Sequence, residues 1–347
     1  MLFRSVFETA TVNTNLLMLE KTGEWNLKAI SLSEKNGEHQ DIPSQLAAKG
    51  IRLSNPGGKT WFIGKPAEMK LQEKIQNLGK PLKEWDVSIF RGVLTGLNEA
   101  FIIDTPTRDR ILQQDPRSGE IIKPLLRGRD IRRYGYEWGG RWLIGTFPSL
   151  NLEIKDFPGI KEFLSGNFDI RQLEQKGKKY PHLGFNGRKK TSNAWFETQD
   201  SISYWREFLK PKIIWKRIGS LLRFSLDEKG FYPLDSTAIM SGEHLKFICA
   251  FLNGQVGKKL LFDSSPKTGT GDLIVSVQAI DPVSPPPVNS MNLPKITQIE
   301  TLVDQILEKK KVSLQEDTTK QERQIDQLVY ELYELTDEEI QIIEGKK

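Results

Sequence analysis

The chain has 347 residues, of which 37% are hydrophobic and 27% charged, so it is neither fibrous nor disordered and suffices for one large domain or two modest ones. Its single cysteine, Cys249, excludes a disulfide framework and lies in an apolar run, where we expect a buried, inert thiol. No stretch approaches the ~20 apolar residues of a membrane span, and the N-terminus lacks a signal-peptide core. We therefore expect a cytoplasmic protein with no membrane partner.

The net charge of +5 is unevenly distributed along the chain. Residues 298–347 carry seven Lys/Arg against thirteen Asp/Glu, which leaves a net +11 on residues 1–297. A basic body with an acidic tail predicts a polyanionic partner for the body. Composition alone does not separate nucleic acid from another anionic surface.

Residues 1–84 have the pattern of a leading segment of strands and turns. The best strand candidate spans residues 9–19, with turns at Gly23 and at Asn36-Gly37. Helical spacing of apolar residues, a proline at the start and a glycine after the end predict a helix from Pro66 to Leu78.

Residues 90–104, FRGVLTGLNEAFIID, form the stretch around which the chain is organised. Short β-type runs at 87–90 and 100–103 flank a glycine-containing polar turn and predict a hairpin. Glycine permits positive φ and close backbone approach, while the side chains of Arg91, Thr95 and Asn98 suit a phosphate or a base edge. A plain hairpin in a mixed sheet is the alternative interpretation.

The next segment, residues 120–134, is rich in arginine. Its cations Lys123, Arg127, Arg129, Arg132 and Arg133 outnumber two acids, and Gly128 lets several arginines point the same way. Arginine forks bind phosphates and guanine edges in bidentate fashion. A solvated charged turn with local ion pairs is the alternative.

Residues 171–190 carry seven basic residues and one acid, interleaved with aromatic residues. Glycine and proline exclude a regular helix, so we expect a long exposed loop or a loose hairpin. Such a segment can follow a DNA backbone and stack on or wedge against bases; a disordered solubilising loop is the alternative. The candidate contacts here are Lys178, Lys179, Tyr180, Arg188, Lys189 and Lys190.

Two further candidate pairs follow along the chain. The pattern of residues 212–218 predicts a strand with Lys216 and Arg217 at its exit. Lys267 and Thr268 lie in a polar turn at 264–271. The glycines of this turn do not form an S-adenosylmethionine loop, because polar residues rather than an apolar strand precede them.

The C-terminal part is predicted to be helical. Prolines between residues 282 and 294 indicate a rigid connector. Apolar residues at helical spacing in 299–307 and 325–332 predict two amphipathic helices in an antiparallel hairpin. A capping box at Thr336 predicts a last short helix.

Several of these segments match a known family. GVLTGLNEAFIID, IIKPLLRGRDIRRY, WREFLKPKIIWKRI, LVDQILEKKK and IDQLVYELYELTDEEIQIIEG occur in an order that resembles the TaqI-like C-terminal specificity domain of type IIG restriction-modification enzymes, and related target-recognition domains of adenine-specific DNA methyltransferases. The resemblance implies a DNA-reading module, which in family members lies C-terminal to a nuclease and a methyltransferase.

Neither catalytic part is expected in this chain. The Asn/Asp-Pro-Pro-Tyr/Phe motif of adenine methyltransferases is absent, no convincing nuclease cluster is present, and the three histidines are scattered. We therefore expect no metal and no cofactor here; S-adenosylmethionine and Mg²⁺ would belong to missing catalytic domains. The chain is interpreted as a fragment or a separate specificity subunit.

The sequence thus predicts an α+β fold: a mixed twisted-sheet target-recognition domain at 85–293, after the leading segment 1–84, and a C-terminal helical hairpin subdomain at 294–347. The predicted function is sequence-specific binding of duplex DNA, with methyltransferase and nuclease domains as partners in cis or in trans. Most of the candidate residues should contact phosphate and a few should contact base edges. The alternatives are a diverged nuclease and a protein-interaction module with a basic docking surface.

Overall fold

The computed structural model describes residues 2–4, 13–15, 27–29, 44, 47–48, 50–53 and 65–345. The chain divides into two compact units: unit 1 holds residues 1–85, 254–296 and 326–347, and unit 2 holds residues 86–253 and 297–325. Helices combine with open, mixed sheets, so the predicted α+β fold is confirmed. The predicted division at residues 84 and 293 stays a prediction.

The strands and helices of the described part are numbered in chain order. The strands are β1 (Leu2–Arg4), β2 (Asn13–Asn15), β3 (Leu27–Ala29), β4 (Ile51–Leu53), β5 (Val87–Arg91), β6 (Ile102–Asp104), β7 (Ile122–Leu126), β8 (Ile131–Arg132), β9 (Gly135–Tyr136), β10 (Arg141–Ile144), β11 (Lys179–Tyr180), β12 (Phe185–Asn186), β13 (Lys212–Lys216), β14 (Ile218–Gly219), β15 (Phe224–Asp227), β16 (Tyr232–Pro233), β17 (Thr237–Gly242) and β18 (Leu273–Ile274). The helices are α1 (Pro66–Leu78), α2 (Asn98–Phe101), α3 (Thr105–Gln114), α4 (Pro158–Asn167), α5 (Ile170–Leu173), α6 (Leu245–Asn253), α7 (Gln255–Ser264), α8 (Val277–Ile280), α9 (Leu293–Val312), α10 (Thr319–Leu332) and α11 (Asp337–Glu344).

Two four-stranded sheets form the centre of unit 2. One has the strand order β15-β13-β17-β5 with every neighbour antiparallel. The other has the order β16-β7-β10-β6, in which only the β16–β7 pair is parallel. Ile213, Ile214 and Trp215 of β13 are all buried, because this strand is central in its sheet and is covered on both faces.

The predicted hairpin at residues 87–103 is wrong. β5 pairs with β17, whereas β6 pairs with β10 in the other sheet. Between them Ala100 and Phe101 belong to the short helix α2 and are fully buried in the core of unit 2. The apolar residues of the second run therefore serve core packing across two sheets, which outweighs their local strand preference.

Other local predictions are confirmed. Helix α1 spans Pro66–Leu78, as predicted, and the predicted strand at 212–218 is present as β13. The capping box of α11 is present: the Thr336 backbone N–H donates to Glu339 at 2.9 Å, and the Glu339 N–H donates to the Thr336 hydroxyl at 3.3 Å. Cys249 is fully buried, and burial raises the pKa of its thiol.

Part of the predicted leading segment lies outside the described residues. Of the strand candidate at 9–19, the structure describes β2 at 13–15, which pairs with β1. The turns predicted at Gly23 and Asn36-Gly37 lie outside the described residues. Within the described part of the chain, no helix is both long enough and apolar enough to cross a membrane.

The predicted C-terminal helices are present as α9 and α10. The first begins at Leu293, within the proline-rich stretch, and buries Ile299, Val303 and Ile306 completely. These side chains lie on one helix face, so the apolar stripe read from the sequence is used for packing.

A fully buried ion pair joins β13 to β15. The Lys212 ammonium donates to Asp227 Oδ2 at 2.6 Å and to the Phe208 carbonyl at 2.5 Å, and both charged side chains are 0% exposed. Asp227 also accepts from the Tyr136 hydroxyl and from the backbone N–H groups of Lys229 and Phe231. Burial lowers the pKa of Lys212, and Asp227 opposes that shift. Every charge is thus met by donors or acceptors, as a buried pair requires.

Replacing one partner tests this buried pair. Lys212→Met leaves the Asp227 carboxylate buried without its counter-charge, so we expect the free energy of unfolding of unit 2 to fall by about 3–5 kcal/mol. Urea denaturation followed by tryptophan fluorescence measures the change.

The matched control is Lys210→Ala, two residues away. Lys210 pairs with Glu207 at 2.7 Å, but its side chain is 58% exposed, and exposed pairs contribute less than about 1 kcal/mol. Equal effects of the two variants would show that burial does not govern the Lys212 pair.

Candidate nucleic-acid interface

The carboxyl ends of two strands bring Arg91 and Lys216 to one sheet edge. β5 and β13 both pair antiparallel with β17, so they run in the same direction. Lys216 lies opposite Thr237, and Arg91 lies opposite Ala238. With neighbouring strands about 4.8 Å apart, the two backbones are separated by about 10 Å. Both side chains are exposed, so the edge is positively charged.

Two strands of the second sheet, β7 and β16, also end beside the carboxyl end of β5. β16 runs parallel to β7, and the Leu234 N–H donates to the Leu126 carbonyl at 2.9 Å. The next residue, Asp235, donates its N–H to the Val93 carbonyl at 3.0 Å. Residues 233–237 thus join the carboxyl ends of β5, β7 and β16 to the start of β17.

Ser236 links the exits of β7 and β13. Its hydroxyl accepts from the Gly128 N–H at 3.1 Å, and its carbonyl accepts from the Arg217 N–H at 3.0 Å. The stem of Lys216 lies across Gly128, where a Cβ would come within 2.8 Å of it. We call the resulting patch the strand-end surface; its members are Arg91, Arg129, Lys216, Arg217, Asp235 and Ser236.

The glycine-containing turn after β5 makes the two kinds of contact that its glycines predict. Gly92 packs so closely against residue 234 that a Cβ on Gly92 would lie 2.0 Å from the Leu234 carbonyl oxygen. Gly96 has a φ of +79°, a conformation that favours glycine. Thr95 is fully buried, and its hydroxyl donates to Asn98 Oδ1 at 2.7 Å. The turn therefore presents Asn98, which is exposed, and holds Thr95 inside.

Arg188 is a buried scaffold residue. Its side chain is 3% exposed, and its guanidinium donates to the Thr95 and Glu197 carbonyls at 2.7 Å each. It also donates to the Leu173 and Trp195 carbonyls at 3.2 and 3.4 Å, and burial lowers its pKa to about 10. The burial of Arg188 and Thr95 argues against the direct DNA contacts predicted for them.

The basic segment folds as a hairpin. Lys179 lies opposite Asn186 and Tyr180 opposite Phe185, and the two rings of the latter pair are 5.6 Å apart. We call residues 178–190 the basic hairpin. Within the described residues, four exposed lysines of this hairpin make no ion pair: Lys178, Lys179, Lys189 and Lys190.

Asp200 marks where the basic hairpin meets the strand-end surface. Its N–H donates to the Leu94 carbonyl at 3.2 Å. Burial raises the pKa of its carboxyl; Arg91 and Lys189 lower it, and Asp235 raises it. Arg188 of the hairpin also donates to the Thr95 carbonyl in the turn after β5, so the base of the hairpin contacts this turn. We call the strand-end surface and the basic hairpin together the cationic face.

The arginine cluster does not point one way as predicted. Three of its members pair with different acids: Arg127 with Asp130 at 3.0 Å, Arg132 with Glu137 at 2.8 Å and Arg133 with Glu322 at 2.5 Å. Arg129 stays exposed, and within the described part of the chain it makes no ion pair. The alternative of local ion pairs therefore describes most of this segment.

Three other candidates each have surroundings of their own. Lys123 is half-buried within β7, and burial lowers its pKa. Lys267 and Thr268 belong to unit 1, where the Lys267 ammonium lies 3.7 Å from the centre of the Phe262 ring. The Thr268 hydroxyl lies 2.8 Å from that of Thr270. DNA contact by these three residues stays a prediction.

Several residues of the face were not identified from the sequence. Gln199, Asp200, Asp235 and Ser236 reach it through backbone contacts between distant segments, and no local motif marks them. In the described part of the chain, no three His, Cys, Asp or Glu side chains are grouped so as to hold a metal ion.

The role of Arg188 is testable by a conservative change. Arg188→Lys keeps the charge but supplies no planar fork for four carbonyls, so we expect unit 2 to lose about 2–3 kcal/mol of stability. The neighbouring variant Lys189→Ala is the control, since an exposed substitution changes stability by about 0.5 kcal/mol or less. Chemical denaturation of both variants gives the comparison; an unchanged Arg188→Lys midpoint would contradict the scaffold role.

Comparison with known proteins places this geometry in context. Residues 123–269 match the family of the TaqI-like C-terminal specificity domain. The chain is 23% identical over 154 residues to the type II methyltransferase M.PaeR7I of Pseudomonas aeruginosa, a match that covers 44% of this chain and 24% of that protein. The chain thus spans about a quarter of the length of this relative.

Two solved structures align with parts of this chain. The type IIL restriction-modification enzyme MmeI, determined in complex with DNA, aligns over 86% of this chain and 39% of its own, with a TM-score of 0.51 and 10% identity. The type IIG restriction endonuclease BpuSI aligns over 77% of this chain and 33% of its own, with a TM-score of 0.41 and 12% identity. The resemblance stated from the sequence is confirmed for residues 123–269, which match the family of the TaqI-like C-terminal specificity domain.

Proposed function

We propose that this chain is the DNA target-recognition part of a restriction-modification system, and that it binds duplex DNA through the strand-end surface and the basic hairpin without catalytic residues of its own. The single observation that carries the proposal is a set of exposed cations without ion pairs in the described part of the chain, most of which lie in the segment that matches a specificity-domain family. Methyltransferase and nuclease domains, in cis or in trans, are its proposed partners.

The charge arrangement supports DNA rather than a small anion. Exposed cations extend from the hairpin through Arg91 to Lys216 and Arg129, and Asp200 and Asp235 are the acids placed among them. An extended row of cations matches the spacing of phosphates along a duplex, whereas a small anion needs a closed pocket. The lysines of the hairpin suit phosphate as point charges, and rigidly presented polar groups at the turn suit base edges.

The proposed function predicts that the affinity for duplex DNA depends strongly on salt concentration. If the face neutralises about six phosphates, affinity for duplex DNA should fall roughly a thousandfold between about 50 and 200 mM salt. Fluorescence anisotropy with a labelled duplex measures this. Salt-independent binding, or no binding at the lower salt concentration, would contradict the proposal. Binding to an acidic protein instead of DNA would support a docking module, and cleavage of plasmid DNA with Mg²⁺ would support a diverged nuclease.

A second prediction separates phosphate contacts from base contacts. Lys189→Ala should weaken binding to all sequences about equally, because a mobile point charge contacts phosphate. Arg91→Ala and Asn98→Ala should each relax the preference at one position by about 1–3 kcal/mol, since both residues flank a rigid turn. A binding selection on randomised duplexes measures all three, with Lys161→Ala on α4 as the control. If Arg91→Ala and Asn98→Ala instead weaken binding to all sequences equally, the turn contacts phosphate and does not contact base edges.

A third prediction concerns Asp200, whose negative charge faces the proposed DNA path. Asp200→Asn removes this charge and should strengthen binding to all sequences. DNA phosphates favour the protonated carboxyl, so wild-type affinity should rise as the pH falls toward the Asp200 pKa, which burial raises above the ordinary value of an aspartate. The asparagine variant should lack this component, so the difference between the two pH profiles is the readout. Identical profiles would show that Asp200 lies away from the DNA.

A further inference from the structure

The side chain of Gln199 lies beside the glycine-containing turn, on a backbone that is held by hydrogen bonds. Its N–H donates to the Thr95 carbonyl at 3.2 Å, and its own carbonyl accepts from the Asn193 side-chain amide at 2.9 Å. Arg188 in turn holds the same Thr95 carbonyl. The Cα of Gln199 is thereby tied to the glycine-containing turn on one side and to Asn193 on the other.

The missing side chain of Gly96 leaves the space that Gln199 occupies. A Cβ at residue 96 would lie 2.7 Å from Gln199 Oε1 and 3.0 Å from Gln199 Cβ. The turn therefore confines the glutamine stem against its backbone and restricts its rotamers. A confined polar side chain loses less conformational entropy when it binds than a free one.

The amide of Gln199 has no hydrogen-bond partner among the residues that the structure describes, although the side chain is half-buried. Buried polar groups usually bond to the protein, as the amides of the buried Gln175 and the half-buried Asn193 do. Its sequence neighbour Asp200 is flanked by Arg91 and Lys189. Within the described part of the chain, the Gln199 amide thus offers a free donor and a free acceptor close to Arg91 and Lys189, two cations that suit phosphates.

We infer that Gln199 reads a base edge in the DNA target, and that the base is adenine. A glutamine amide can accept from adenine N6 and donate to N7 at the same time, a pairing that distinguishes adenine from the other bases in the major groove. The inference rests on the proposed function and deepens it. It assigns a specificity-determining role to a residue that no motif marks, on the segment opposite the glycine-containing turn.

One structural feature offers a competing role. The Arg188 Nε–H is buried and has no acceptor in the described part of the chain. A Cβ placed on Gly96 would lie 2.9 Å from Arg188 Nε and 2.7 Å from Gln199 Oε1, so both atoms lie close to the same position. A small rotation would let Gln199 accept from Arg188, so that the residue would serve the scaffold alone. A scaffold role affects folding and all sequences equally, whereas base reading affects one position.

The experiment is a binding selection on randomised duplexes with the wild-type chain, Gln199→Ala and Gln199→Glu. Gln199→Ala should lose a preference for adenine at one position by roughly 10- to 100-fold, with binding to unrelated duplexes changed by about twofold or less. Gln199→Glu keeps an acceptor but loses the donor, so preference at that position should move toward cytosine, whose N4 amino group donates. Gln114→Ala, an exposed glutamine on α3, should leave the selected sequence unchanged.

The outcomes separate this inference from the proposed function. If the wild type binds no DNA or selects no sequence, the proposed function fails. If the wild type selects a sequence that Gln199→Ala and Gln199→Glu both retain, the inference fails while the proposed function stands. A loss of preference at every position, together with a lower denaturation midpoint, would assign Gln199 to the scaffold and also overturn the inference.

Discussion

The backbone of residues 233–237 is the joint on which unit 2 depends. Val93 donates its N–H to the Pro233 carbonyl at 2.7 Å, Leu234 donates to Leu126, and Gly92 donates to the Thr237 carbonyl at 3.1 Å. Strands of both sheets thus end on one short segment, and buried backbone groups must be paired for this segment to stay in the core. Only a glycine fits at residue 92, because a Cβ there would overlap the Leu234 carbonyl. The cationic face is a consequence of this joint.

The cations of unit 2 fall into two groups: those that are buried or paired with acids and stabilise the fold, and those that are exposed on its surface. Lys212 is buried against Asp227, Arg188 is buried with its terminal nitrogens on four backbone carbonyls, and Arg127, Arg132 and Arg133 pair with acids. The lysines of the basic hairpin, with Arg91, Arg129 and Lys216, are exposed instead. Charges without partners cost little in water and are available to an anionic ligand. This division separates folding from binding, so a surface lysine can change without loss of the fold.

Local sequence pattern predicted the elements better than their assembly. Helix α1, strand β13 and the α11 capping box follow from short-range signals, because their bounds depend on proline, glycine and capping residues. The hairpin at 87–103 was predicted wrongly, since pairing across two sheets is set by contacts with β10 and β17 far along the chain. The same limit applies to the candidate site: the sequence pattern predicted Arg91 and the hairpin lysines as contacts, which stays a prediction, but the burial of Arg188 and the placement of Gln199 and Asp200 depend on long-range packing. Charge content predicted a polyanion-binding face, whereas ion pairing within the arginine cluster required three-dimensional geometry.

If the proposed function is right, the strand-end surface and the basic hairpin together contact DNA. Lysine acylation followed by mass spectrometry, with and without a saturating duplex, tests it directly on the intact chain. We expect the duplex to protect Lys178, Lys179, Lys189, Lys190 and Lys216, whereas Lys155 and Lys161, exposed in the segment around α4, should react at unchanged rates. Protection of Lys155 and Lys161 with unchanged reactivity of the hairpin lysines and Lys216 would show that DNA binds elsewhere on the protein.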